Sequence, residues 1–201
     1  MNKHQIAVDM PRTFPDEAFF RTNKQRDERE DTLQEQLGQE VLDAISRVCT
    51  AYAARNSHIG YCQGFNFVVG RLLQVMTEEE AFWTFSSIIE TLMPLDYYQN
   101  MVGARVDQKI IDILIKEKFP RLYAHFEDHF YMASMVTLQW FTTLFAYSFN
   151  FHVLVRLWDL FFLKGSKILF RISLAIFHLM EEELLESPSI GAIMAKMETI
   201  S

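Results

Sequence analysis

An all-α fold is predicted by three features of this 201-residue chain: apolar residues that recur at three- and four-residue intervals, few chain-breaking residues, and no sustained alternation of period two. Hydrophobic residues make up 50% of the chain, with 18 Phe, 10 Met and 3 Trp against only 7 Gly and 5 Pro, a balance that favours packed helices over a turn-rich or disordered chain. A chain of this size buries roughly 70% of the surface its unfolded form exposes, so one compact core is expected.

Residues 1–30 carry Pro11 and Pro15 and then a charged stretch, 21–31, which reads as an extended lead-in followed by a solvated segment. From Thr32, Leu33, Leu37, Val41, Leu42, Ile45, Val48, Cys49 and Tyr52 trace one amphipathic helix face that runs out near Asn56. Residues 56–63 then form a loop, and 65–76 form a helix apolar on nearly every side. Thr77 with Glu80 is a capping box that starts the next helix, which Pro94 ends. Further helices are predicted over 110–119, stopped at Pro120, and over 121–130, 134–149 and 151–163, the last capped by Gly165. Residues 167–185 and 189–199 complete the set. No fixed-length repeat is present, so an irregular helical domain is expected in preference to a solenoid.

The formal net charge of −7 and the lack of any basic run argue against nucleic acid as a partner. Two cysteines, Cys49 and Cys62, are too few for a disulfide framework, and residues 1–14 hold no apolar signal core; a reducing, cytoplasmic setting is expected. Residues 131–155 carry no Asp, Glu, Lys or Arg over a length that could span a bilayer, but their Ser, Thr, Gln, Asn and His side chains would each need a partner in hydrocarbon. Buried core helices account for them better than a transmembrane segment.

Two short stretches carry chemistry. In Ile6-Ala-Val-Asp9-Met-Pro-Arg12, Pro11 fixes its own φ and restricts Met10 to extended geometry, Pro15 stiffens the far side, and Asp9 can accept from the Arg12 guanidinium and aim it. In Gly60-Tyr61-Cys62-Gln63-Gly64, two glycines permit backbone angles that bring Gln63 close to another molecule. Singly, Arg12 reads as a surface arginine in an ion pair and Gln63 as a side chain satisfying a helix terminus. Together they are the pair that GTP hydrolysis uses: a planar guanidinium stabilises charge spread over the γ-phosphoryl oxygens, and a carboxamide orients the attacking water.

Other constellations are weaker. His125 and His129 lie at i and i+4, but Phe-Glu-Asp separates them, with no third ligand pattern, so no metal site is expected and they read as surface histidines. Cys62 with His58 lacks an orienting third group for nucleophilic catalysis. No G-x-x-x-x-G-K-[ST] motif is present, so the protein should hold no nucleotide of its own.

Through its I-x-x-D-x-x-R and Y-x-Q motifs the chain resembles the TBC domain of Rab GTPase-activating proteins. Tyr61-Cys-Gln63-Gly64-Phe-Asn66 looks like that family's YCQGMN element, with Phe65 where methionine is common. Gly103-Ala-Arg105-Val-Asp107-Gln108 followed by Phe119-Pro120-Arg121-Leu122 resembles the middle of the domain. Trp140-Phe141, Leu144-Phe145 and Arg156-Leu-Trp158-Asp159-Leu-Phe161 resemble its third signature. The matches keep their order over residues 6–177, which makes the signal far more specific than any one motif.

The resemblance implies an irregular all-helical domain over residues 1–201 that accelerates GTP hydrolysis by a Rab-type small GTPase. Arg12 would be the arginine finger, and Gln63 would replace the GTPase's own water-positioning glutamine. Asp9, Tyr61, Gly64, Asn66, Arg156 and Asp159 would support them, a buried Asp159 pairing with Arg156 or with the Gln63 loop; Trp158 reads as core. No cofactor is implied, since GTP and Mg²⁺ belong to the partner, and the place of work would be the cytoplasm, peripheral to trafficking membranes through the GTPase. Family members usually carry helices ahead of the arginine motif, which begins here at residue 6, so the domain looks truncated. An interaction module that binds a GTPase or trafficking protein without catalysis is the alternative, and an unrelated helical scaffold would leave Arg12 and Gln63 far apart.

Overall fold

Helices and the turns between them make up the described part of the computed structural model, residues 2–14, 32–94 and 96–200, with no strand among these residues. Pro15 and the charged stretch 21–31 lie outside it, as do the side chains of Leu33 and Leu37. The chain gathers into two compact units, Met1–Thr91 and Leu92–Ser201.

The first unit opens with a helix where an extended lead-in was expected. Helix α1, Asn2–Asp9, buries Ile6 and Asp9 on one face. Pro11 has no N–H to offer the carbonyl four residues back, so α-helical winding stops and the chain tightens into a 3₁₀ turn, Met10–Arg12, closed by the Thr13 N–H on the Met10 carbonyl at 3.1 Å. Met10 is therefore helical, not extended, because Pro11 sits at the start of that turn, where no N–H is needed. The chain extends only at Thr13, with φ −81° and ψ 103°.

Helix α2, Thr32–Arg55, turns Leu42, Ile45, Val48, Cys49 and Tyr52 inward as the spacing predicts. Helix α3, Phe65–Leu73, ends before the predicted residue 76. The N–H groups of Gln74 and Val75 bond three residues back, to Arg71 and Leu72, and Thr77 leaves helical geometry at ψ 164° to cap the next helix. Helix α4, Glu78–Ser87, carries the expected capping box: Thr77 Oγ1 accepts from the Glu80 N–H at 3.4 Å, and Glu80 Oε2 accepts from the Thr77 N–H at 2.9 Å. A π-helical turn, Ile88–Leu92, follows. Tyr52, Phe65 and Phe85 meet edge to face at 4.9–5.9 Å and join α2, α3 and α4.

In the second unit, helix α5, Val102–Lys118, begins well before the predicted residue 110. Its buried stripe of Ala104, Gln108, Ile111 and Ile115 keeps helical spacing, but alanine and glutamine hide the first half. A Cβ at Gly103 would fall 2.9 Å from the Tyr97 Cα, so glycine lets this first turn pack closely. Helix α6 is Pro120–Asp128, with Pro120 in its first turn. Helix α7, Ser134–Thr142, stops short of 149 because Leu144 and Phe145 take φ of 52° and 62°, and the Trp158 indole donates to the Leu144 carbonyl at 2.9 Å. Helix α8, Phe151–Lys164, is capped by Asn150 and ended by Gly165 at φ 74°. Helices α9, Lys167–Leu185, and α10, Ile190–Glu198, match expectation, the latter capped by Ser189. The Phe177 ring lies 6.1 Å from Phe126 and 5.9 Å from Trp140, making α9 the spine of this core. No helix among the described residues is long and apolar enough to cross a membrane.

Candidate functional site

The 3₁₀ turn after α1 leaves Arg12 exposed between two buried polar residues, Asp9 and Thr13. Sequence reasoning paired Asp9 with Arg12. The structure corrects this: Asp9, only 3% exposed, turns inward, and among the described residues no carboxylate lies within ion-pair distance of Arg12. Asp9 Oδ2 accepts from the Tyr61 hydroxyl at 2.9 Å, and the Gln5 amide approaches both carboxylate oxygens at 3.3 and 3.4 Å. Helical spacing explains the inward turn, since Asp9 shares with Ile6 the face that α1 buries.

Gln63 stands at the tip of a four-residue turn, Cys62 to Phe65, closed by the Phe65 N–H on the Cys62 carbonyl at 3.1 Å. Its third residue, Gly64, has φ 105° and ψ −18°, a conformation that requires glycine, and serves as the N-cap of α3. Gly64 thereby places Gln63, exposed, at the helix mouth.

Two hydrogen bonds join the two turns, from Tyr61 to Asp9 and from Asn66 to Thr13. The Tyr61 hydroxyl lies 3.2 Å from Asn66 Oδ1, Asn66 Nδ2 donates to Thr13 Oγ1 at 2.9 Å, and Thr13 Oγ1 donates to the Asp9 carbonyl at 3.0 Å. Residues flanking Arg12 are thus bonded to residues flanking Gln63. Buried polar groups of this kind cost free energy when left unsatisfied, and the Asp9 carboxylate, the Tyr61 and Thr13 hydroxyls and Asn66 Nδ2 each have a partner. Thr13 and Phe14 were missed in the sequence. The Phe14 ring meets Phe67 edge to face at 5.1 Å and lies under the Arg71 guanidinium at 3.9 Å. The signal that could have found Arg71 is a lone cation within an apolar helix, Phe65-Asn-Phe-Val-Val-Gly-Arg71-Leu-Leu.

Burial, then the neighbouring Cys49 and Asp9, push the Tyr61 phenol well above its usual range and keep it a neutral donor. Burial likewise pushes the Cys62 thiol up to about 11, so at neutral pH it is no thiolate nucleophile, and His58 is exposed. His125 and His129 are half-buried, not surface residues as expected, with ring centroids 4.5 Å apart. No group of three His, Cys, Asp or Glu able to hold a metal occurs among the described residues.

Arg156 and Asp159 belong to the second unit and pair with each other on α8 at 3.6 Å. Both side chains are exposed, by 85% and 61%, so the expected buried Asp159 is a surface residue: α8 turns Leu154, Trp158 and Phe161 inward instead. Exposed pairs of this kind contribute little to stability.

A family model described as the Rab-GTPase-TBC domain matches residues 1–185. TBC1 domain family member 2A of Homo sapiens is 40% identical over 183 residues, covering 90% of this chain and 18% of that protein. Small G protein signaling modulator 3 of Homo sapiens is 36% identical over 197 residues, covering 98% and 24%. The chain therefore spans about a fifth of the length of these relatives. Among solved structures, the Chlamydomonas flagellar RabGAP TBC domain superposes with a TM-score of 0.82 at 29% identity, over 99% of this chain and 62% of that one. The Ypt/Rab-GAP domain of Gyp1p superposes with a TM-score of 0.77 over 99% and 70%; at 18% identity it speaks for the fold alone.

Proposed function

Because the chain belongs to the Rab-GTPase-TBC domain family, we propose that it accelerates GTP hydrolysis by a Rab-type small GTPase, entering the partner's nucleotide cleft with Arg12 and Gln63. The observation that carries this reading is the pair of hydrogen bonds from the Tyr61 hydroxyl to Asp9 and from Asn66 Nδ2 to Thr13 Oγ1, which ties the two exposed tips to one support. Arg12 would meet the charge that develops on the γ-phosphoryl oxygens, and Gln63 would hold the attacking water. GTP and Mg²⁺ would both be the partner's. Work in the cytoplasm, peripheral to trafficking membranes through the GTPase, belongs to the same proposal.

Phosphate release from a panel of GTP-loaded Rab proteins tests it. The wild-type chain should accelerate at least one member by about 10³- to 10⁵-fold, and Arg12→Ala and Gln63→Ala should each remove most of that effect. Binding without acceleration would overturn the reading in favour of a non-catalytic interaction module.

A further inference from the structure

We propose that Arg71 is a positioning residue for Arg12, acting through Phe14. The inference rests on the reading of Arg12 as an arginine finger and extends it to a residue on a different element.

Phe14 lies two residues beyond Arg12 and takes φ 46°, in the left-handed region that a bulky side chain seldom occupies. Such a residue keeps its conformation only where its surroundings over-determine it. Helix α3 supplies that hold from two residues one turn apart: the Phe67 ring meets Phe14 edge to face, and the Arg71 guanidinium carbon stands 3.9 Å from the Phe14 ring centroid. Arg71 is 1% exposed, so this stacking takes place away from water, where a cation over a ring is held most firmly.

Helix α3 is also capped by Gly64, directly after Gln63. One rigid helix therefore references both tips: its N-terminus carries the glutamine, and two turns later it fixes the exit of the arginine loop. Thr13, between Arg12 and Phe14, is held by Asn66 of the same helix. A planar guanidinium suits this task because it can lie flat on a ring, which a lysine ammonium cannot do.

The test uses the GTP-loaded Rab that the wild-type chain accelerates most in the panel above. Arg71→Lys and Phe14→Leu should each lower kcat by about ten- to a hundredfold, the scale of a misplaced catalytic group, with KM little changed. The double variant should fall no further than the worse single one. On an Arg12→Ala background, Arg71→Lys should cost nothing more, an outcome that general destabilisation would not give. Wild-type kcat for Arg71→Lys, or a loss that adds in full to that of Arg12→Ala, overturns the inference while leaving the proposed activity standing. If Arg71→Lys melts below the assay temperature, Phe14→Leu carries the test, and wild-type kcat for that variant overturns it. A wild-type chain that accelerates no GTPase removes both readings together.

Discussion

The Tyr61 hydroxyl donates to the Asp9 carboxylate at 2.9 Å across 52 positions of chain, and together with the bond from Asn66 to Thr13 it fastens the turn that carries Arg12 to the turn that carries Gln63. Neither residue reaches outward, and their role follows from that. A buried carboxylate must be satisfied somewhere, and satisfying it with a side chain of the second turn fixes the two turns to each other.

Removing that donor should be felt in stability as well as activity. Tyr61→Phe keeps the ring against Phe65, at 6.0 Å, and deletes only the hydroxyl. A hydrogen bond to a charged group contributes about 1.5–3 kcal/mol, and in a domain of this size that corresponds to a melting temperature lower by roughly 3–12 °C. Circular dichroism melts of wild type and variant measure it, and coincident melts would show that the hydroxyl anchors nothing.

Arg12→Lys separates charge from geometry. Arg12 is exposed, so the substitution should leave the unfolding free energy within about 0.5 kcal/mol of wild type. Activation of the GTPase should nonetheless fall most of the way to the level of Arg12→Ala, because an ammonium is a point charge and cannot reproduce the two-pronged planar donor. Phosphate-release rates at saturating activator compare the three proteins, and wild-type turnover by the lysine variant would contradict the finger assignment.

Gly64→Ala tests the turn below Gln63. At φ 105° a Cβ meets its own backbone, so alanine should destabilise the fold by about 1–2 kcal/mol and shift the glutamine tip. Urea denaturation followed by tryptophan fluorescence gives the first quantity and phosphate release the second. A variant equal to wild type in both would mean that the turn adapts freely.

Much of the fold is legible because it is decided locally. The Thr77 and Glu80 cap, the stripe of α2 and the span of α9 each follow from residues within a few positions of one another. The failures are the places where a distant partner decides. Helix α7 stops at Thr142 because Leu144 and Phe145 turn left-handed under a bond from Trp158, which no local pattern announces. Arg12 and Gln63 are readable as exposed tips on special turns. The partner of Asp9 is not, since the nearest cation in sequence is Arg12 and the actual donor is a neutral phenol on another loop. Pro11 differs again: its fixed φ suggests extended chain, whereas it ends one helix and opens a tighter turn.

The cysteine beside Gln63 gives a pH dependence whose sign can be worked out. Burial raises the Cys62 thiol from about 9 when unfolded to about 11 when folded, so the folded state holds its proton more tightly than the unfolded state does. A group raised in this way contributes its full stability below the unfolded value and loses it as pH climbs through the folded one. Melting temperature should therefore be insensitive to this thiol below about pH 9 and should decline between about 9 and 11. Cys49 and Tyr61, both raised chiefly by burial, push in the same direction from their unfolded values of about 9 and 10 upward. Cys62→Ala isolates the contribution: its melting temperature should fall less steeply than that of wild type between pH 9 and 11, and parallel curves across that window would show that the thiol is not desolvated in the folded protein.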